Sequence, residues 1–169
     1  YSGTSIGPVC KVGGEVEGSV FQGWSNKQHE GFLGHSYVAS WVNLGAATDN
    51  SDLKNNYGSV RVTIDGRTVD TESTFVGATI GDHTKTAIGT KLNTGTVVGI
   101  FCNIVATGFP PKYLPSFSWG APGGFVEHEL DRALGSARIA MGRRNVEMSA
   151  ADEELIRNVH AATAGERNA

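Results

Sequence analysis

A six-residue rhythm constrains this chain more than any other feature. Counted from Val20, every sixth residue reads Val20, Asn26, Phe32, Val38 and Leu44, and the count resumes at Ile80, Thr86, Leu92, Val98 and Ile104. Ile6 and Val12 belong to the same series two residues out of phase, which predicts a small irregularity near Gly18-Ser19. The residue after the repeat start is often glycine: Gly7, Gly13, Gly45, Gly81 and Gly99. The fifth position is small or β-branched at Val16, Ser36, Val42, Thr48, Thr84, Thr90, Thr96 and Cys102. An α-helix repeats every 3.6 residues and a half-buried strand every two, so neither explains a period of six. One large and one small residue turned inward per hexad suits short flat strands joined by tight corners. Such corners need residues that tolerate unusual backbone angles, glycine and asparagine foremost. Stacked coils bury a continuous ladder that no single coil buries alone. The expected fold class is all-β, a parallel β-helix over residues 1–108; a glycine-rich sandwich is the alternative.

The rhythm breaks between residues 50 and 74. Ser59-Val60-Arg61-Val62-Thr63-Ile64 alternates, Asp65-Gly66 is a turn signal, and Arg67-Thr68-Val69 returns, so a hairpin excursion is expected there. The repeats are expected to stop near Gly108, because Phe109-Pro110-Pro111-Lys112 and Pro115 cannot serve a ladder that needs backbone donors. A loop over 109–124 then leads into helices over 125–163. Val126, Leu130, Leu134, Ala137 and Met141 form one apolar stripe. Ser149 with Asp152 resembles a capping box opening a second helix whose apolar face holds Leu155, Ile156 and Val159. These helices are expected to serve packing or assembly, and residues 164–169 are expected to form a flexible tail.

The composition narrows the partners. A net charge of −3 argues against a general nucleic-acid binder, which needs clustered Lys and Arg. No run of about 18 apolar residues exists to span a membrane. Cys10 and Cys102 share no motif, which favours a reducing cytoplasm over a disulfide framework. Tyr1-Ser2-Gly3-Thr4 reads as the middle of a repeat, so a further N-terminal part is expected.

Five histidines are the natural candidates for chemistry. His128 and His160 lie in the helical tail and read as surface residues; His83 reads as an exposed corner. His29 and His35 flank Glu30-Gly31-Phe32-Leu33-Gly34, beside the polar run Ser25-Asn26-Lys27-Gln28. A neutral imidazole, with a pKa of about 6.5, can take a proton from an attacking amine or hydroxyl. A corner histidine bonded to backbone is the equally open structural reading. Thr48-Asp49-Asn50-Ser51-Asp52-Leu53-Lys54 adds donors, acceptors and charge at the root of the excursion.

Two stretches carry a resemblance: His29-Glu30-Gly31-Phe32-Leu33-Gly34-His35 and Trp41-Val42-Asn43-Leu44-Gly45-Ala46-Ala47-Thr48-Asp49-Asn50. Together they resemble the acetyltransferase half of the bacterial bifunctional N-acetylglucosamine-1-phosphate uridylyltransferase/glucosamine-1-phosphate acetyltransferase family. The similarity runs from about Ile6 to Gly108. Residues 110–163 are more similar to a divergent, sugar nucleotidyltransferase-like branch, in which a nucleotidyltransferase domain precedes the β-helix. The resemblance implies a left-handed helix, a cytoplasmic homotrimer, acetyl-CoA as co-substrate and a sugar phosphate as acceptor.

Residue by residue, the resemblance puts His29 on the general base and Asn43 on a sugar-contacting asparagine. With a two-residue gap, Asn50 and Asp52 fall on the asparagine and aspartate of a later substrate stretch. Ala78, in Phe75-Val76-Gly77-Ala78, takes the place of a serine that helps to hold acetyl-CoA, and Thr94, in Leu92-Asn93-Thr94-Gly95, replaces an alanine of a later cofactor turn. Other positions depart. Phe32 and Ser51 stand where the family has tyrosines. The phosphate-binding lysine falls on Glu17, or on Ser19 with a gap, and a carboxylate there repels a phosphate. Lys27 or Lys54 would have to supply the missing charge. Two other functions stay open: a non-catalytic β-helix that trimerises or regulates a nucleotidyltransferase, and a zinc hydrase of the γ-carbonic-anhydrase type. The second has only His29, His35 and His83 as ligands, and they lie on different sides of a prism.

Overall fold

The computed structural model describes residues 1–64, 66–121 and 123–167. Asp65 of the expected hairpin turn, Pro122 of the expected loop, and Asn168 and Ala169 of the expected tail lie outside the described residues. Short parallel strands stack into a left-handed β-helix, followed by helices. On the first face Ser5–Ile6, Val20–Phe21, Tyr37–Val38, Thr79–Ile80, Val97–Val98 and Tyr113–Leu114 lie rung upon rung. The second face runs from Lys11–Val12 through Asn26–Lys27, the bridge residue Asn43, Lys85–Thr86 and Asn103–Ile104 to Ser118–Ala121. On the third, Glu15–Glu17 pairs with Phe32–Gly34, and Asp49–Asn50 with Lys91–Leu92. Val38, Leu44, Ile80, Leu92, Val98 and Ile104 fill the column, as the hexad count requires. The small positions are buried as well. Their hydroxyls are satisfied by carbonyls within or across coils: Ser36 Oγ donates to Gly34 O at 2.9 Å and Thr84 Oγ1 to Gly99 O at 2.8 Å.

The phase of the first coils differs from the count by one residue. Val20 is exposed and Asn26 and Phe32 are half-buried, whereas Phe21, Lys27 and Leu33 point inside. The cause is the step from Leu33 to Val38, which is one residue short of a hexad. The first coil holds two short steps, four residues from Val12 to Val16 across Gly13-Gly14 and five from Val16 to Phe21 across Gly18-Ser19, the site of the expected irregularity.

The ladder also outlasts Gly108. Tyr113–Leu114 and Ser118–Ala121 extend two faces, and Ser118–Ala121 turns back in an antiparallel pair with Gly124–Glu127. Pro110 and Pro111 precede the first of these strands and Pro115 follows it, so no proline sits within a rung. The excursion is the expected hairpin, Arg61–Ile64 antiparallel to Arg67–Asp70.

Helix α1 spans Leu130–Gly142, later than expected because Phe125 and Val126 belong to the strand before it. Leu134, Ala137 and Met141 of the predicted stripe are buried; Val126 is exposed. Helix α2 spans Ala150–Ala162 and opens on the predicted capping box, with Ser149 and Asp152 satisfying each other's backbone N–H. Of its expected apolar face only Ile156 is buried, while Leu155 is exposed. A short α3, Ala164–Arg167, occupies the segment expected to fray. Arg167 is held there by a bond to Ser116 O and by the Phe117 ring, 5.6 Å from its guanidinium carbon.

One corner holds a feature that hexad counting missed. Trp24, Trp41, His83, Phe101 and Phe117 stack coil upon coil, with centroids 5.2, 6.0, 4.6 and 5.2 Å apart. All five residues have φ between 51° and 63°. Phe101 and Phe117 join Ala133, Leu134, Ala137 and Ile156 in a second core, which fastens the helices to the column. His83 is therefore buried rather than exposed. His128 is buried too, its Nδ1 2.9 Å from Phe101 O.

Candidate functional site

Between the second and third faces the chain turns at His29-Glu30-Gly31. Gly31 has φ 118°, and a Cβ there would collide with the carbonyl oxygen of Thr48. Glycine lets this corner pass close to the next coil, and the His29 side chain is left exposed. Its Nε2 lies 3.1 Å from the Gln28 amide nitrogen. Gln28 lines a groove on the second face together with Asn43. Asn43 is exposed, stacked between Asn26 and Lys85, and its Oδ1 accepts from Asn26 Nδ2 at 3.3 Å. Asn43 and Gln28 line this groove, and His29 is connected to it through its contact with Gln28.

Several other candidates are drawn into the column. Lys27 occupies an inward position and is 1% exposed. Its Nζ donates to Gly13 O and His29 O at 3.1 and 2.9 Å. Burial lowers its pKa, and Asp49 and Glu30 partly offset this. The expectation that Lys27 meets a phosphate is corrected: its ammonium serves two backbone carbonyls. Asn50 is corrected in the same way. Its Oδ1 accepts from Gly34 N at 2.8 Å and its Nδ2 donates to Gly34 O at 3.0 Å, so the amide pairs with the backbone of the coil beside it. Ala78 and Thr94 also face inward, and Thr94 Oγ1 lies 2.7 Å from Ser51 Oγ. The outer wall beside them is made by Thr79 and Asn93, both exposed.

Asp52 and Lys54 mark the root of the excursion. Asp52 Oδ2 lies 2.7 Å from His35 Nδ1, and the His35 ring is 5.1 Å from that of Phe75. This pair binds the excursion to the coil beneath it. Lys54 Nζ donates to Ser59 O within the excursion. His83 packs between Trp41 and Phe101, and its Nδ1 has no partner. Burial lowers its pKa to about 4, so the ring is neutral. His29, His35 and His83 stay apart, and among the described residues no three His, Cys, Asp or Glu side chains are grouped to hold a metal ion. Cys102 is inert by burial, which pushes its thiol up to about 11. Among the described residues no helix is long and apolar enough to cross a membrane.

The sequence reading missed the cations around Asn43. Lys11 and Lys85 reach the groove from the column, and Arg143 and Arg144 from just beyond α1. A signal existed for the lysines, which flank Asn26 and Asn43 on neighbouring coils. None existed for the arginines, far away in the chain.

No family model matches the chain. One curated relative does. It is a bifunctional sugar-1-phosphate nucleotidylyltransferase/acetyltransferase from Sulfurisphaera tokodaii, 31% identical over 90 residues. The match covers 53% of this chain and 22% of that protein. The likeness, together with the stacked coils, fits a hexapeptide-repeat domain like those of such bifunctional enzymes.

Proposed function

We propose that this chain is the acyltransferase part of a sugar-nucleotide biosynthetic enzyme, moving an acetyl group from acetyl-CoA to the amine of a sugar phosphate. The observation that carries this reading is the exposed His29, bonded to Gln28, whose side chain lines the same groove as Asn43. The likeness to a nucleotidylyltransferase/acetyltransferase supports it. A neutral acceptor amine attacks the thioester carbonyl, and His29 takes the proton as the C–N bond forms. The C–S bond then breaks and the proton passes to the thiolate. Positioned base catalysis of this kind is worth about 10²–10⁴-fold, and a rigid wall that aligns both substrates adds to it. Asn43 orients the sugar. Acetyl-CoA lies along the outer wall beside Ala78 and Thr94, where Thr79 and Asn93 are offered to it, at the junction of subunits in a homotrimer.

The test is thiol release from acetyl-CoA by the purified chain with a panel of amino sugar phosphates. Turnover with at least one acceptor is expected, reduced about 10²–10⁴-fold in His29→Ala with unchanged circular dichroism. Turnover that survives His29→Ala would remove the assigned base.

One observation favours a second reading, a non-catalytic β-helix that trimerises or regulates a nucleotidyltransferase. Lys27 and Asn50, both candidates for holding the substrate, are committed to the backbone. A folded, trimeric chain that releases no thiol with any acceptor would support this reading and sink the first.

A further inference from the structure

The groove on the second face has a volume of about 520 Å³, within the range of small-molecule sites. Four cations converge on it, Lys11, Lys85, Arg143 and Arg144, and no carboxylate lines it. None of the ion pairs among the described residues involves any of the four. Arg144 Nη2 donates to Asn26 Oδ1 at 3.0 Å, and Asn26 passes a hydrogen bond on to Asn43, so cation and amides share one wall. Lys85 is half-buried and donates to His83 O at 3.1 Å. Burial lowers its pKa and no acidic neighbour restores it, a cost that a bound anion would reverse. Trp24 and Trp41 close one side with aromatic surface. The chain as a whole carries −3, yet the lining of this concavity holds four cations and no carboxylate. A confined patch suits a compact anion; a nucleic-acid strand needs an extended basic track.

We propose that this groove binds a phosphorylated small molecule. The four cations hold its phosphoryl oxygens and the two tryptophans pack against its ring. Guanidinium groups suit such oxygens because their planar donors meet two at once. The site rests on charge and shape, so it holds whether or not His29 is a base.

Intrinsic tryptophan fluorescence of the full chain provides the test, with inorganic phosphate, pyrophosphate, glucose 1-phosphate and UDP as titrants. A saturable change is expected, about tenfold or more tighter for a ring-bearing phosphate than for inorganic phosphate, and weakened by salt. Lys85→Met and Arg143→Glu should each loosen it about tenfold or more. Arg143 is exposed, so its replacement leaves the fold intact even if Lys85→Met does not. Lys112→Met, outside the groove, should change nothing. Absence of a saturable response to all four titrants, or unaltered affinity in both groove variants, would overturn the site. Equal affinity for inorganic phosphate and the ring-bearing ligands would overturn the role given to the tryptophans.

Discussion

The two corners that flank the second face solve one backbone problem in opposite ways. At the aromatic corner, Trp24, Trp41, His83, Phe101 and Phe117 all hold left-handed backbone, which costs a non-glycine residue about 1–2 kcal/mol. Stacked rings return about 0.5–1.5 kcal/mol per pair beyond the area they bury, and helices α1 and α2 cover the far end of the stack. At the glycine corner, Gly14, Gly31 and Gly89 take positive φ without a side-chain penalty, though Ala47 on the coil between holds a left-handed φ of 55°. The first corner is part of the core. The second leaves His29 exposed. Strain is tolerated where packing offsets it, and side chains are available where glycine has made packing unnecessary.

The largest way to break this contrast is Phe117→Ala. Phe117 is fully buried between Phe101, His160 and Arg167. Chemical denaturation should show a loss of about 3–5 kcal/mol; a loss below 1 kcal/mol would mean that the stack does not hold the helices.

Next comes pH. His83 titrates at about 4 when folded, against 6.5 as its ordinary value, because burial disfavours its charge. The unfolded chain therefore takes up this proton first. Stability from the neutral ring is fully present above pH 6.5 and is lost as pH falls toward 4, by about 3 kcal/mol. His83→Phe should flatten stability across that window, and parallel pH profiles for the two proteins would refute the assignment.

The smallest effects lie at the bare corner. Gly31→Ala combines an unfavourable φ with a backbone collision and should cost about 2–3 kcal/mol. Gly89→Ala has φ 73° with open space around it and should cost about 1 kcal/mol. Equal losses would show that backbone angle alone, and not crowding, governs this corner.

Much of the column was legible. The hexad series from Val38 to Ile104 and the small inward positions Ser36, Val42, Thr48, Thr84, Thr90, Thr96 and Cys102 follow from counting, whereas the buried Ser19, Ser25 and Ala78 lie outside the count. The first coils were not, because Val20-Phe21 and Phe32-Leu33 each offer two adjacent apolar residues to one inward position. The third inward residue of that group is Lys27, which hydrophobicity assigns to the outside. The last rungs were hidden by prolines, whose effect depends on which side of a two-residue strand they fall. Of the candidate site, Asn43 and His29 lie open to solvent, Asn43 in the groove and His29 beside its lining residue Gln28. Lys27 and Asn50 do not, since residue type cannot tell an amine or amide that serves the backbone from one that serves a ligand.

By itself the sequence determined that the chain coils, because a period of six with alternating large and small inward residues has no use in a helix or a simple sheet. Only the tertiary structure decided what surrounds Asn43. The shortened step before Val38 sets which of two neighbouring side chains is inside. The docking of α1 on Phe101 and Phe117 carries Arg143 and Arg144 across to Lys11 and Lys85. Burial and charge at that groove come from residues distant along the chain, and no local pattern encodes such a meeting.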